Sequence, residues 1–107
     1  MGPHTLVIRN MVFSLSGVDA PVSGSTAGNS TERELARLVE GQVVTCTPMD
    51  EVVSGAMVAM CFVGTLDLGS ALVASGKALA CQNGLGAKYT SLETEDALAS
   101  LSRSDLC

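Results

Sequence analysis

The sequence predicts a mixed α+β domain, and three observations carry that expectation. Short stretches rich in Val, Thr and Phe alternate with segments of helical periodicity. Capping residues and glycines punctuate the helical segments at the positions where helices start and stop. Apolar residues make up 47% of the 107 residues, enough for one core that hides roughly 60–70% of the unfolded surface. Only Phe13, Phe62 and Tyr89 are aromatic, so that core is expected to be built from Val, Leu, Ala and Met.

Taken in order, Thr5 to Arg9 and Met11 to Leu15 are β-prone around Arg9-Asn10, short enough for a hairpin turn. Val22 to Ser30, rich in Gly, Ser, Ala and Asn, reads as a mobile loop, and its Asn29-Ser30-Thr31 fits a glycosylation triplet. A first helix is expected from Glu32 to Glu40, with Thr31 and Glu34 as a capping box. Leu35, Leu38 and Val39 would line its inner face, and Gly41 would end it. Gln42 to Pro48 and Met57 to Gly64 are strand-like, joined by a hairpin connection over Met49 to Ala56. Asp67 can cap a second helix, Leu68 to Ser75, with Leu68, Ala71 and Leu72 inward and Gly76 after it. Lys77 to Cys81 would be a short strand and Gln82 to Lys88 a loop. A third helix, Leu92 to Leu101, would carry Ala97, Leu98 and Leu101 on one side and acids near its positive end.

Eleven acids against six bases leave a net charge of −5. The bases are scattered, with none of the basic striping that phosphate neutralisation calls for, so a protein partner or self-association is favoured over nucleic acid. No apolar run approaches the roughly 20 residues of a membrane span, so no membrane partner is expected. Met1 to Thr5 lacks the basic and apolar regions of a signal peptide. The four cysteines, Cys46, Cys61, Cys81 and Cys107, match no zinc spacing. If the two middle strands pair symmetrically about their connection, Cys46 and Cys61 fall opposite one another. That makes them a disulfide candidate, with two packed thiols as the alternative.

Several phrases, in this order, resemble the staphylococcal nuclease (thermonuclease) family. Leu15-Ser16-Gly17-Val18-Asp19-Ala20-Pro21 is similar to its Leu-x-Gly-Ile/Val-Asp-Ala/Thr-Pro segment. Val43-Val44-Thr45-Cys46 and Val58 to Val63 resemble the hairpin of its bacterial secreted branch. Asp67 to Val73 followed by Gly76 to Ala80, and then Tyr89 with Leu92-Glu93, resemble its later helices and last strand. The resemblance implies a five-stranded OB-fold barrel with three helices, a periplasmic or secreted setting, and a calcium-dependent phosphodiesterase ancestry. The family's long first strand has no counterpart here, which would leave a barrel edge exposed.

Position by position, the implied chemistry is largely missing. His4 stands where the family has its first metal carboxylate, whereas Asp19 keeps the second. Val22 replaces the acidic residue beside the attacking water. Ser14 and Ala56 replace the two phosphate-binding arginines. Cys81 and Gly84 stand for aromatic residues that stack on the nucleotide, and Cys107 for a tryptophan. Calcium wants several charged oxygens, which one Asp and an imidazole do not supply. An arginine aimed at phosphoryl charge is worth about 10³–10⁵ in rate, and valine can neither take a proton nor orient water. Asp19 also has a purely structural reading, bonding the turn that follows it, and His4 reads as a solvated histidine. The sequence therefore points to a catalytically degenerate nuclease homologue that needs no cofactor and serves as a binding or interaction domain. The alternative is a weak or altered metal-dependent nuclease using Asp19, His4 and Asp50 or Glu51.

Overall fold

Two tight hairpins and two small helical caps give the chain its form. The structure, a computed structural model, describes residues 2–81 and 84–104. Strands β1 (Thr5–Ile8) and β2 (Met11–Leu15) are joined at Arg9-Asn10, where both residues have positive φ, 51° and 67°. That is the backbone twist a two-residue hairpin requires, and Asn tolerates it well. After β3 (Val18–Asp19) comes helix α1 (Thr26–Val39), then β4 (Val44–Val53), β5 (Ala56–Val63) and β6 (Leu66–Asp67). Helix α2 (Leu68–Ala74), β7 (Leu79–Ala80), a 3-10 helix (Gly84–Leu92) and α3 (Glu95–Ser100) complete the described chain.

The fold is mixed α+β, with a five-stranded sheet and three α-helices among the described residues. Sheet order is β1-β2-β5-β4, with β6 added to β5. The β2–β5 ladder is parallel, and the other ladders of this sheet are antiparallel. β3 and β7 form a separate two-stranded antiparallel sheet. β1 and β4 do not pair with each other, so the main sheet is open and both are edge strands. Its inner face meets α1 and α2 in a core centred on Leu6, Phe13, Leu35, Ala59, Leu68 and Leu72. Tyr89 closes this core, 2% exposed. Of the methionines, Met57 packs against this core, whereas Met11 and Met49 are exposed because they fall near a hairpin turn and on the outer half of β4.

Three boundaries differ from the sequence expectation. Helix α1 begins six residues before Glu32, capped by Ser25, whose Oγ accepts the Gly28 N–H at 2.9 Å. Thr31, expected as the cap, is instead buried inside the helix, its Oγ1 2.6 Å from the Lys77 carbonyl oxygen. Of the small residues that read as a loop, Gly28 is small because the helix packs tightly there. A Cβ on Gly28 would sit 2.0 Å from the Val22 carbonyl oxygen. The glycosylation triplet consequently lies within the helix. The β4–β5 hairpin turns at Ser54-Gly55 rather than over Met49 to Ala56. A bulge between Pro48 and Val52, with Asp50 at φ 57°, absorbs the irregular residues, and the ladder then resumes. The third helix is shorter, Glu95–Ser100, because Thr94 caps it and Leu92 ends the preceding 3-10 helix. In that helix Ala97 is buried but Leu98 is exposed. The expected final strand shrinks from Lys77–Cys81 to Leu79–Ala80.

Other expectations hold. Leu35 is fully buried, with Leu38 and Val39 packed against the core, and Gly41 follows α1 at φ 70°. Asp67 Oδ1 accepts the Gly69 N–H at 3.0 Å, capping α2. In that helix Val73, not Ala71, joins Leu68 and Leu72 at full burial. Cys46 and Cys61 stand directly opposite in the β4–β5 register and are disulfide-bonded, with Cα atoms 4.0 Å apart. That separation is short for a disulfide, as expected where two strands already pair closely. Of the expected loop, Gln82 and Asn83 lie outside the described residues, and Gly84 to Lys88 are helical.

Candidate functional site

The residues the sequence singled out fall into two places. His4, Ser14, Asp19 and Val22 belong to the first hairpin and the segment that leaves it. Ala56 and the Cys46–Cys61 bridge belong to the second hairpin.

Asp19 is drawn inward by the short β3–β7 ladder, where it sits opposite Leu79. The residue is 7% exposed, and its Oδ2 accepts the Ser104 backbone N–H at 2.7 Å. This is a structural role, but not the one expected: the partner lies 85 residues away rather than in the following turn. His4 is held by the β1–β2 hairpin, its carbonyl accepting the Leu15 N–H at 2.8 Å. Its Nδ1 is buried with no hydrogen-bond partner, so the histidine is not the solvated residue expected. Burial pushes the imidazole below its ordinary pKa, and the nearby Asp19 carboxylate opposes that shift. The fold thus brings His4 and Asp19 into one electrostatic neighbourhood.

Around Asp19 the chain is strapped down by a set of polar contacts. Glu93, whose side chain is 4% exposed, accepts the Ala80 N–H at 2.9 Å and ion-pairs with Arg103 at 2.9 Å. Arg103 also donates to the Ala80 carbonyl at 2.6 Å. The Arg103 hydrogen bond holds the Glu93 carboxyl below the usual carboxylate range, with the Ala80 N–H adding to the effect. Cys81, next along, is held in a disulfide, and its N–H donates to the Gly17 carbonyl at 2.8 Å. The expected reading of Cys107 lies outside the described residues. None of Glu93, Arg103 or Ser104 was marked by sequence as a partner of Asp19, because their contacts span the chain and no local spacing signals them.

Ser14, Val22 and Ala56, the positions that the resemblance marks, are occupied in ordinary ways. Ser14 is half-buried in β2, in register with Thr5 and Val58. Val22 is 78% exposed, and its carbonyl accepts both the N–H and the hydroxyl of Ser25. Ala56 is buried at the start of β5. As a hard-cation site the neighbourhood fits poorly, since one Asp19 oxygen is already bonded and the other donor is an imidazole. Among the described residues no group of three or more His, Cys, Asp or Glu side chains could hold a metal ion.

The second place is a groove of about 500 Å³ at the open seam of the main sheet. Ile8, Arg9, Met11 and Phe13 form one wall, and Val43 to Cys46 form the other. Phe13 belongs to the core and Ile8, Val44 and Cys46 pack against it, so the groove opens directly onto the apolar interior. Val43 is 84% exposed at its rim. Sequence reasoning anticipated an exposed edge but not this groove, whose walls are 30 residues apart or more in the chain.

The remaining cations are largely spoken for. Arg37 pairs with Glu34, Lys88 with Asp67 and Arg103 with Glu93, while Lys77 donates to Ser30 Oγ. No helix among the described residues is long and apolar enough to cross a membrane. No protein-family model matches the chain, and no curated protein matches it.

Proposed function

We propose that the chain is a degenerate staphylococcal-nuclease-like domain, built on an OB-type frame, that works as an interaction domain and not as a nuclease. The observation that carries this reading is the state of Asp19. The one acidic position that keeps its family identity is spent on a backbone N–H of Ser104. With Val22, Ser14 and Ala56 at the other working positions, no group is left to activate water or hold phosphoryl charge. A protein ligand is favoured over nucleic acid because four of the six bases already have partners within the chain. The apolar groove at the open sheet edge is the surface such a ligand would use, since edge strands and apolar grooves recur in protein recognition.

The alternative, a weak or altered metal-dependent nuclease, draws on one observation, the nearness of His4 to Asp19. Incubation of the purified chain with labelled single-stranded DNA and RNA, first with calcium and then with manganese, separates the two. The interaction-domain reading expects no cleavage. Cleavage abolished by Asp19→Ala would establish a rebuilt catalytic site and overturn it.

A further inference from the structure

We propose that the open seam is a self-association surface on which a second copy of this chain docks. The two β4 edges run antiparallel about a two-fold axis near Pro48. Val52 of each copy packs on the other's groove, and Asp50 and Glu51 of each face the partner's Arg9. The proposal rests on the interaction-domain reading and names its occupant.

The argument starts from the edge itself. Strand β4 has one ladder, to β5, so its other side presents unpaired backbone groups. Its first half, Val44 to Thr47, is regular, and Val44 to Cys46 wall the groove. Its second half carries exposed side chains along its whole length, including Val52 at 67%. Val52 stands in register with Met57, which stands in register with Phe13. Side chains in register share a face, so Val52 lies on the same face as the groove-lining Phe13. An exposed valine and an apolar groove therefore share one face of one sheet, at opposite ends of β4.

A two-fold axis brings such ends together. The bulge leaves Val52 only two rungs of β5 from Pro48, so an antiparallel register centred on Pro48 sets the partner's Val52 across from the groove-lining Cys46, and the relation repeats on the other side. Charge follows the same pattern. Arg9 lines the groove, while Asp50 and Glu51 are exposed beyond the bulge. None of the three ion pairs among the described residues uses any of these groups. Each groove thus offers a cation where the partner's hairpin brings acids. Pro48 has no N–H and Asp50 interrupts the ladder, which confines backbone pairing to short stretches. The contact is then carried by side chains and closes as a pair rather than extending into a filament.

Sedimentation velocity of the full chain from about 1 μM to about 1 mM tests this, because edge contacts of this kind associate within that range. The expected result is a rise from one-chain to two-chain mass. Val52→Asp, Arg9→Glu and Glu51→Lys are each expected to raise the dissociation constant about tenfold or more. The Arg9→Glu/Glu51→Lys double variant inverts the pair at unchanged net charge and is expected to recover much of the loss. All three positions are exposed, so thermal unfolding checks that each variant stays folded. A one-chain mass at every concentration, or a dimer indifferent to Val52→Asp and Arg9→Glu, would overturn the proposal. A double variant no tighter than either single one would overturn the charge pairing. Neither failure bears on the cleavage assay, so the interaction-domain reading stands or falls separately.

Discussion

The two regions built around the sequence-marked residues are finished in opposite ways. At the β3–β7 end, polar groups from distant stretches meet: Asp19 with Ser104, Glu93 with Arg103 and Ala80, Cys81 with Gly17. At the open seam, apolar walls meet nothing, and Arg9, Asp50 and Glu51 take no part in the ion pairs among the described residues. The difference teaches that a residue the sequence marks and a surface open to a ligand are separate matters. Asp19 holds the chain together through the Ser104 N–H, whereas the groove at the seam opens to solvent.

That contrast can be broken most forcefully at the strapped end. Glu93→Ala leaves Arg103 and the Ala80 N–H without their buried acceptor and is expected to cost about 2–3 kcal/mol in chemical denaturation. A cost below about 0.5 kcal/mol, the level of ordinary surface changes, would show that the strap is not structural. Replacing both Cys46 and Cys61 by alanine removes the crosslink between β4 and β5 and is expected to cost about 2 kcal/mol. Strand pairing already constrains that hairpin, which places the value at the low end of the usual range. Asp19→Ala leaves the Ser104 N–H unmet and is expected to cost about 1–2 kcal/mol, with no accompanying loss of any calcium effect on stability.

His4 sharpens the comparison through pH. Its folded pKa lies below the ordinary 6.5, so the folded chain takes up fewer protons than the unfolded chain as pH falls through that window. The stability present above pH 6.5 is therefore lost progressively as pH drops towards the lowered folded value. His4→Gln is expected to flatten this slope in thermal unfolding curves. The carboxyls of Glu34 and Glu93, held below 4.5, act only at lower pH and do not mask it. The smallest effect belongs to the seam. Val43→Ser, at a rim residue 84% exposed, is expected to change single-chain stability by less than about 0.5 kcal/mol.

Much of the frame was legible because local chemistry specifies it. Arg9-Asn10 reads as a turn, Asp67 as a cap, and Gly41 and Gly76 as stops, since each acts on residues a few positions away. Cys46 and Cys61 were legible because two antiparallel strands bring them close, although the bulge sets the final register: symmetry about Ser54-Gly55 alone would place Cys46 opposite Val63. The start of α1 was not, because the capping Ser25 and the closely packed Gly28 look like loop composition. The β4 bulge hid the true turn in the same way, by placing Asp50-Glu51 within a strand. At the candidate site the sequence named His4 and Asp19 but not their surroundings. Glu93, Arg103 and Ser104 come from a distant stretch of chain, and only the fold makes them neighbours.

The central claim, that the seam and not the Asp19 end is the ligand-facing surface, is tested most directly by backbone amide NMR spectra in two series, one with added calcium and one with rising protein concentration. The account expects calcium to leave Asp19, His4 and Ser104 unmoved, and concentration to shift Ile8 and Arg9, Val43 to Cys46, and Asp50 to Val53. Saturable calcium shifts centred on Asp19 and His4, with no concentration dependence at the seam, would contradict it.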